Sequence, residues 1–409
     1  MRILRNSHID FLGIKWICIG ISIAMSLIGL ASLVIKRGPK LGIDFTGGAQ
    51  IVYAFSQKPD ENRIRTIVEG ANVKIDSVQR FDKPEKNQVL LRIPMEQKEG
   101  RDIAREVNAA LVKALFPQGG APGAFDLNLN GADLLLNKLV AEDPEKFAAR
   151  PSVDPKTEYT RITQAIIGQR SEKVLFASVG DAASDPRIPP ATAAWLKEKT
   201  VAGPFTLLSA ENVGPQVGKD LREKGMWAVI LSWAAMLAYV AVRFRSLSFG
   251  TASVVALMHD TWVTLGLCSI LNIEISLTVV AAFLTLIGYS MNDTVVIYDR
   301  IRENLQKTRK KPLAELVNES INQTLSRTAL TAVLTFVVVV VLFFMGGETL
   351  RPFSFVMIAG IIIGTYSSIF IAAPLVIVWE EWKQKRAAKK PAPAPATPTG
   401  KKAASAKAR

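Results

Sequence analysis

The chain has 409 residues, of which 49% are hydrophobic and 21% are charged, and its mean hydropathy is +0.22. This mixture is typical of a polytopic membrane protein that also carries a sizeable soluble domain. The net charge is +14, but most of the excess follows the last apolar run, where Lys and Arg more often set membrane orientation and attract anionic lipids than bind nucleic acid. We therefore expect membrane lipids, and no nucleic acid, among the partners.

Six apolar runs are each long enough to span a bilayer, which takes about 20 residues. The first run is too long for a signal-peptide core and is predicted to be an uncleaved anchor. Both cysteines, Cys18 and Cys268, fall within these runs and say nothing about the redox compartment of the soluble part. The predicted spans are Ile14–Ile35, Met226–Val242, Phe249–Leu271, Ile275–Tyr298, Thr328–Met345 and Phe353–Val378.

The basic residues near the spans predict the orientation. With a cytoplasmic N-terminus, Arg243, Arg245 and the run Arg300–Lys311 lie inside, and the outer connections LNIEIS and MGGETLRP carry one Arg and two Glu. This distribution agrees with the positive-inside bias. Four regions are therefore predicted: a cytoplasmic N-terminus with the first transmembrane helix (1–35), an extracytoplasmic domain (36–225), a five-helix transmembrane bundle (226–380) and a basic, disordered cytoplasmic tail (381–409).

The segment between the first two spans has the pattern of an α+β domain. A Gly-punctuated turn in LGIDFTGG leads into a β-rich run, and a helix then starts from Asp60 as its N-cap. Two strands around a polar turn, an amphipathic helix with Val107 and Leu111 on its apolar stripe, and a last strand in FTLLSAENVG follow. The order β-α-β-β-α-β predicts a ferredoxin-like fold. An insert at about 117–203 interrupts it, and its apolar stripes predict a small helical unit.

Two further patterns concern the last spans. The segment KPLAELVNESINQTLSRT has one apolar helical face, which predicts either an interfacial helix on the cytoplasmic surface or a helix packed against the bundle. In the last span, Gly360, Gly364, Ser368 and Ala372 recur every four residues. Such a stripe of small residues allows two helices to approach closely in lipid.

Two carboxylates lie within the predicted spans, Asp260 in MHDTWVTLG and Asp293 in GYSMNDTVV. A charged side chain at bilayer depth is unfavourable by about 2.5 to 3.5 kcal/mol, and taking up a proton removes the charge. An acid that alternates between these forms is the basic part of a proton pathway. Asp293 lies about 8 Å inside the boundary at Tyr298. Its neighbours Asn292 and Thr294, together with Tyr289 and Ser290 one helical turn back on the same face, can hold ordered water next to the carboxyl group.

The other candidate groups are more ambiguous. Asp260, beside His259, has two interpretations, a proton-pathway acid or an interhelical hydrogen-bonding group. Arg327 opens the fifth span, where composition alone favours an Arg that reaches to the membrane surface. No G-x-x-x-x-G-K-[ST] phosphate loop is present, so ATP hydrolysis is not expected. The chain has two His and two Cys, so neither a metal centre nor a cofactor is expected.

Five phrases taken together closely resemble the SecF family, membrane subunits of the bacterial protein-export machinery that are related to the resistance-nodulation-division transporters. The likeness covers Ile9–Gln57 and Asn212–Glu380 and rests on LGIDFTGG, VGPQVGKDLREKG, MHDTWVTLG, IGYSMNDTVVIYDRIREN and INQTLSRTALTA. It implies an inner-membrane protein that acts with SecD and the SecYEG channel on a translocating preprotein, using the proton-motive force. It also implies that Asp293 and Arg327 take part in proton passage. The family's corresponding domain is shorter, so the insert is a departure.

Three functions are therefore compared. The leading hypothesis is a proton-driven auxiliary subunit of preprotein export. The second is a half-size proton-coupled exporter of the same superfamily, although such exporters usually hold both six-span halves in one chain. The third is a membrane scaffold that transduces no energy, in which the buried acids are packing groups.

Overall fold

The computed structural model describes residues 8–81, 84–94, 103–117, 125–307 and 311–388. In chain order, the first elements are α1 (Lys15–Ile35), α2 (Ile43–Thr46), β1 (Gly48–Phe55), α3 (Glu61–Gly70), β2 (Ser77–Phe81), β3 (Gln88–Ile93), α4 (Ile103–Leu115), β4 (Phe125–Asp126), α5 (Ala132–Glu142), α6 (Pro155–Lys173), α7 (Val179–Ala183), α8 (Pro190–Lys199), β5 (Thr200–Val201) and β6 (Phe205–Val213). They are followed by α9 (Pro215–Phe244), α10 (Leu247–Ile270), α11 (Leu277–Lys307), α12 (Leu313–Met345), α13 (Gly347–Ser367), a π-helical turn (Ser368–Ala372) and α14 (Ala373–Ala388).

Within the described residues, six helical segments are long and apolar enough to cross a membrane: α1, α9, α10, α11, α12 and the continuous α13–α14 segment. The six predicted spans fall on these segments in order, so the prediction of a multi-pass helical membrane protein is confirmed. Half of the apolar stretch of α10 and of α11 is buried, against 6% for α9. The helices that carry the two intramembrane acids therefore lie at the centre of the bundle.

Three helices extend further than the sequence predicted. Helix α9 begins at Pro215, well before the predicted span. Helix α12 begins at Leu313, and its first turns are packed rather than interfacial, because Leu316 and Val317 are fully buried. Helix α14 continues to Ala388, so the first residues of the predicted disordered tail are helical. The rest of that tail, residues 389–409, lies outside the described residues.

The domain between α1 and α9 is built on a four-stranded antiparallel sheet of order β2-β3-β1-β6. With α3 and α4 between the strands in sequence, this is the predicted ferredoxin-like fold. Asp60 caps α3, since its carboxylate accepts from the backbone N–H groups of residues 62 and 63. Val107 and Leu111 of α4 pack on the sheet residues Ile51 and Tyr53, and all four are fully buried. The unit is of the predicted α+β class, and for brevity we call it the α/β domain after its helices and strands.

The insert between α4 and β6 has its own apolar core, which includes Leu139, Ile162 and Phe176. It is not purely helical as predicted, because β4 and β5 form a short parallel pair. The buried Asn128 side chain closes the insert by donating to the carbonyls of Phe176 and Gly203 at 2.9 and 2.7 Å. The residue segment 118–124 at its start is not among the described residues.

The predicted stripe of small residues lies directly against α11, so its role in helix packing is confirmed. A side chain at Gly364 would meet the Cβ of Ser290 at 3.0 Å. Further along, the Oγ atoms of Ser368 and Thr294 are 2.9 Å apart. Residues spaced four apart on α11 face the members of the stripe one by one. The pairs are Gly360 with Leu286, Gly364 with Ser290, Ser368 with Thr294, and Ala372 with Tyr298.

Helices α1 and α10 cross at a second glycine contact, which gives a test of the bundle. A Cβ at Gly29 would lie 2.9 Å from the Cα of Gly266, so Gly29→Ala must push the helices apart. We expect a loss of about 1–3 kcal/mol, as for other over-packed cores, seen as a lower midpoint of thermal unfolding in detergent. Gly20→Ala is the control on the same helix, where a Cβ would meet nothing within 4 Å. Equal midpoints for the two variants would contradict the contact.

Candidate functional site

Asp293 lies in the middle of the bundle, on the face of α11 that packs inward. Its residue is 1% exposed, and its Oδ2 atom has no hydrogen-bond partner among the described residues. The polar side chains that face it are Thr365 of α13, its own neighbour Asn292 and, at longer range, Arg327 of α12. An ionised carboxylate is poorly solvated in such a place, whereas uptake of a proton removes the charge.

Two more polar atoms near Asp293 are buried without a hydrogen-bond partner in the described part of the chain. They are the Tyr289 hydroxyl, which faces Asp293 and Thr335, and the Thr365 hydroxyl. Buried polar atoms are normally paired, so a group of unpaired ones beside an acid is unusual. Such atoms are the partners that an internal water or a transferred proton would use.

Asp260 of α10 is equally buried but differently bonded. Its Oδ2 atom accepts a 2.6 Å hydrogen bond from the Ser290 hydroxyl, and its Oδ1 atom lies 3.2 Å from Nδ1 of His259. Both carboxylate oxygens therefore have partners, in contrast to Asp293. The Nε2 atom of His259 is buried and has no partner within the described residues. This arrangement fits both interpretations of Asp260, a bonded packing group or a relay connected to α11.

The remaining predicted residues lie in different surroundings. Thr294 belongs to the α11–α13 contact, where its hydroxyl bonds to Ser368 and to the carbonyl of Ser290. Asn292 and Arg327 are exposed at the surface of the bundle. No ion pair joins Arg327 to Asp293 among the residues that the structure describes. The pairing of these two groups therefore stays a prediction for another conformational state.

One group at the site, Thr365, was not singled out from the sequence. It is the α13 side chain that faces Asp293. Ser290, which the sequence placed on the same face as Asp293, is the hydrogen-bond donor to Asp260. Ser290 meets Gly364 of the small-residue stripe, and Thr365 is the residue after Gly364. A polar residue beside such a stripe is the sequence pattern that could have identified Thr365. In the described part of the chain, no group of His, Cys, Asp and Glu is placed to hold a metal ion.

Two family models match this chain. The model described as protein export membrane protein SecD/SecF, C-terminal, matches residues 195–382, which include Asp260, Asp293 and Arg327. The model described as SecD/SecF GG motif matches residues 32–59, the end of α1 and the entry into β1.

Individual relatives are also SecF and SecDF proteins. A protein translocase subunit SecF from Koribacter versatilis is 41% identical over 97% of this chain and 98% of its own length. A protein translocase subunit SecDF from Thermus thermophilus is 45% identical over 45% of this chain and 25% of its own length. The crystal structure of a SecDF from the same organism, described as a translocon-associated membrane protein, matches 93% of this chain with a TM-score of 0.62 and 26% identity. This chain spans 40% of that SecDF chain.

The bond between Ser290 and Asp260 can be tested directly. Ser290→Ala leaves Oδ2 of a buried carboxylate without its donor, so we expect a loss of about 1–3 kcal/mol in stability, measured by thermal unfolding in detergent. Thr285→Ala is the matched control on α11, because the exposed Thr285 hydroxyl bonds to the carbonyl of Ala281 in its own helix. If both variants unfold at the wild-type temperature, the bond does not stabilise the bundle.

Proposed function

This chain belongs to the SecF family of protein translocase subunits, and from that premise we propose that it promotes protein export across the bacterial cytoplasmic membrane by taking up and releasing protons at Asp293. It acts as an auxiliary subunit of the Sec translocase. The observation that carries the proton step is the buried, incompletely bonded carboxylate of Asp293 at the centre of the bundle. Family membership supports the role in protein export, and the environment of Asp293 supports this carboxyl group as the site of proton uptake and release.

The physical basis is a difference in free energy between two arrangements of α11, which depends on whether Asp293 is protonated. When Asp293 is protonated, its neutral carboxyl group is compatible with the buried contact against α13. When it is ionised, the same contact is unfavourable, and a state that gives the carboxylate water or a cation is preferred. Arg327 supplies that cation in the proposed cycle, since its guanidinium stays charged at any working pH. Protonation and release thus alternate the bundle between two arrangements.

A second membrane subunit is proposed to cover the surface that carries Asn292 and Arg327. Both side chains are exposed at the bundle surface, and a charged group facing lipid is unfavourable. The Thermus thermophilus SecDF holds more than twice the length of this chain, because the chain spans 40% of it. We propose SecD as the covering subunit, with the SecYEG channel and the translocating preprotein as further partners.

The proposed orientation follows the distribution of basic residues. Both termini lie in the cytoplasm, and the α/β domain with its insert lies outside the membrane, where an exported chain emerges. Lys and Arg near the α9–α10 and α11–α12 connections support this orientation.

The central prediction concerns Asp293→Asn, which keeps the shape of the side chain but cannot titrate. We expect the variant to lower export to the rate measured without a proton gradient, while assembly with SecD is preserved. The measurement is preprotein uptake into membrane vesicles at limiting ATP, with and without a gradient. Asp299→Asn is the control on the same helix, because Asp299 is exposed and pairs with Arg243 at 3.1 Å. Gradient-dependent export at the wild-type rate in Asp293→Asn would refute the proposal.

Arg327 provides a separate prediction. Arg327→Ala should abolish gradient-dependent export, and Arg327→Lys should retain part of it, because Lys keeps the charge but loses the planar fork that binds a carboxylate with two hydrogen bonds. The same vesicle measurement applies. Arg243→Ala serves as the control, since it removes an exposed Arg at the end of a span that pairs with Asp299 rather than Asp293. Normal export by Arg327→Ala would exclude Arg327 as the charge partner.

A further inference from the structure

The connection between α10 and α11, residues 271–276, is held by the segment that follows α1. The backbone N–H of Gly42 donates to the carbonyl of Ile275, and the N–H of Ile275 donates to the carbonyl of Lys40, both at 2.8 Å. Gly42 is required for this approach, since a Cβ there would lie 2.9 Å from Glu274 and 3.2 Å from the carbonyl of Ile275. Residues 40–42 and 275 therefore form a short strand-like bridge between the α/β domain and the bundle.

The same segment caps the helix that carries Asp293. Helix α11 begins at Leu277, and the backbone N–H of Leu277 donates to the Asp44 carboxylate at 2.8 Å. A carboxylate at this end of a helix pairs a free N–H group and interacts favourably with the helix dipole. Phe45 is buried in one cluster with Val279 and Phe283 of α11. The start of α11 is thus fixed to residues that lead directly into β1.

A third contact comes from the sheet itself. Arg92 of β3 forms an ion pair with Glu274, and the two side chains are 10% and 23% exposed. Strand β3 lies between β2 and β1, so Arg92 is held by a strand that is paired on both sides. Exposed ion pairs contribute little, but this pair is largely removed from water, so loss of one partner leaves a poorly solvated charge.

We propose that Arg92 and Glu274 form a coupling joint that passes displacement of α11 to the α/β domain. This inference rests on the proposed function of Asp293. The residues from Asp293 back to Leu277 form a continuous helix of about 24 Å at 1.5 Å per residue. Because a continuous helix moves as a unit, a shift at Asp293 reaches the α10–α11 connection, where Glu274 and the Asp44 cap transfer it to β3 and β1. The alternative is that the covalent links to α1 and α9, with the contacts of residues 40–45, are enough for the domain to follow the bundle, and that the Arg92–Glu274 pair adds nothing.

The joint is tested in the full chain, assembled with its partner subunits in membrane vesicles. Glu274→Ala breaks the pair from the side of the connection, outside any helix or strand. We expect the gradient-dependent part of export to fall by about fivefold or more, the usual size of a coupling between sites. Chain level and co-purification with SecD are expected to be unchanged. The exchange Arg92→Glu with Glu274→Arg restores an ion pair of opposite direction and should recover most of the stimulation.

Arg80→Ala is the matched control, because Arg80 pairs with Glu61 at 2.9 Å on the exposed surface of the same domain. It should leave gradient-dependent export at the wild-type level. Wild-type stimulation in Glu274→Ala would overturn the joint, and so would an exchanged pair that assembles normally but recovers nothing. Failure of the proposed function is distinguishable, since Asp293→Asn then retains its stimulation. Loss in Asp293→Asn together with normal export in Glu274→Ala would reject the joint alone.

Discussion

The close approach of α13 to α11 is the contact on which the membrane part of this structure depends. Glycines at 360 and 364 contribute no side chain to this contact, where Leu286 and Ser290 of α11 pack, and a Cβ at Gly364 would meet Ser290 at 3.0 Å. The absence of that Cβ lets Ser290 lie where it donates to Asp260, and it brings the next residue, Thr365, to face Asp293. In lipid, where apolar burial does not drive helices together, such packing and interhelical hydrogen bonds supply the association. The stripe of small residues thus positions polar groups that it does not itself contain.

The two buried acids are equally buried but differ in their hydrogen bonding. Both are 1% exposed, and both lie on central helices. Asp260 has a partner at each oxygen, so its environment stabilises one arrangement of α10 against α11. Asp293 has an oxygen with no partner among the described residues. An incompletely bonded buried acid lowers the stability of the folded protein. The position of Asp293 therefore favours the proposed role, in which its protonation state changes. The two acids are connected through one helix, because Ser290 lies three residues before Asp293.

The α/β domain and the bundle are mechanically joined at more than their covalent links. The segment 40–47 binds the α10–α11 connection through backbone hydrogen bonds and caps α11 through Asp44. Lys36, at the end of α1, donates to the carbonyls of Ser269 and Ile270, the last residues of α10. Contacts of this kind fix the ends of both acid-bearing helices to the base of the domain. The insert has a separate apolar core, which includes Leu139, Ile162 and Phe176.

The sequence by itself determined the elements, because each depends on a local pattern. Runs of about 20 apolar residues predicted the spans, and the alternation of strands and helices predicted the ferredoxin-like domain, including the Asp60 cap. Asp293 was identifiable from the sequence because a charged side chain within an apolar membrane span is unfavourable and therefore indicates a function. The tertiary structure alone decided which groups meet. The Arg92–Glu274 pair joins residues separated by 182 positions, the Ser290–Asp260 bond joins two helices, and β4 pairs with β5 across the whole insert. No periodicity encodes such contacts, because they arise from the packing of elements that are distant along the chain.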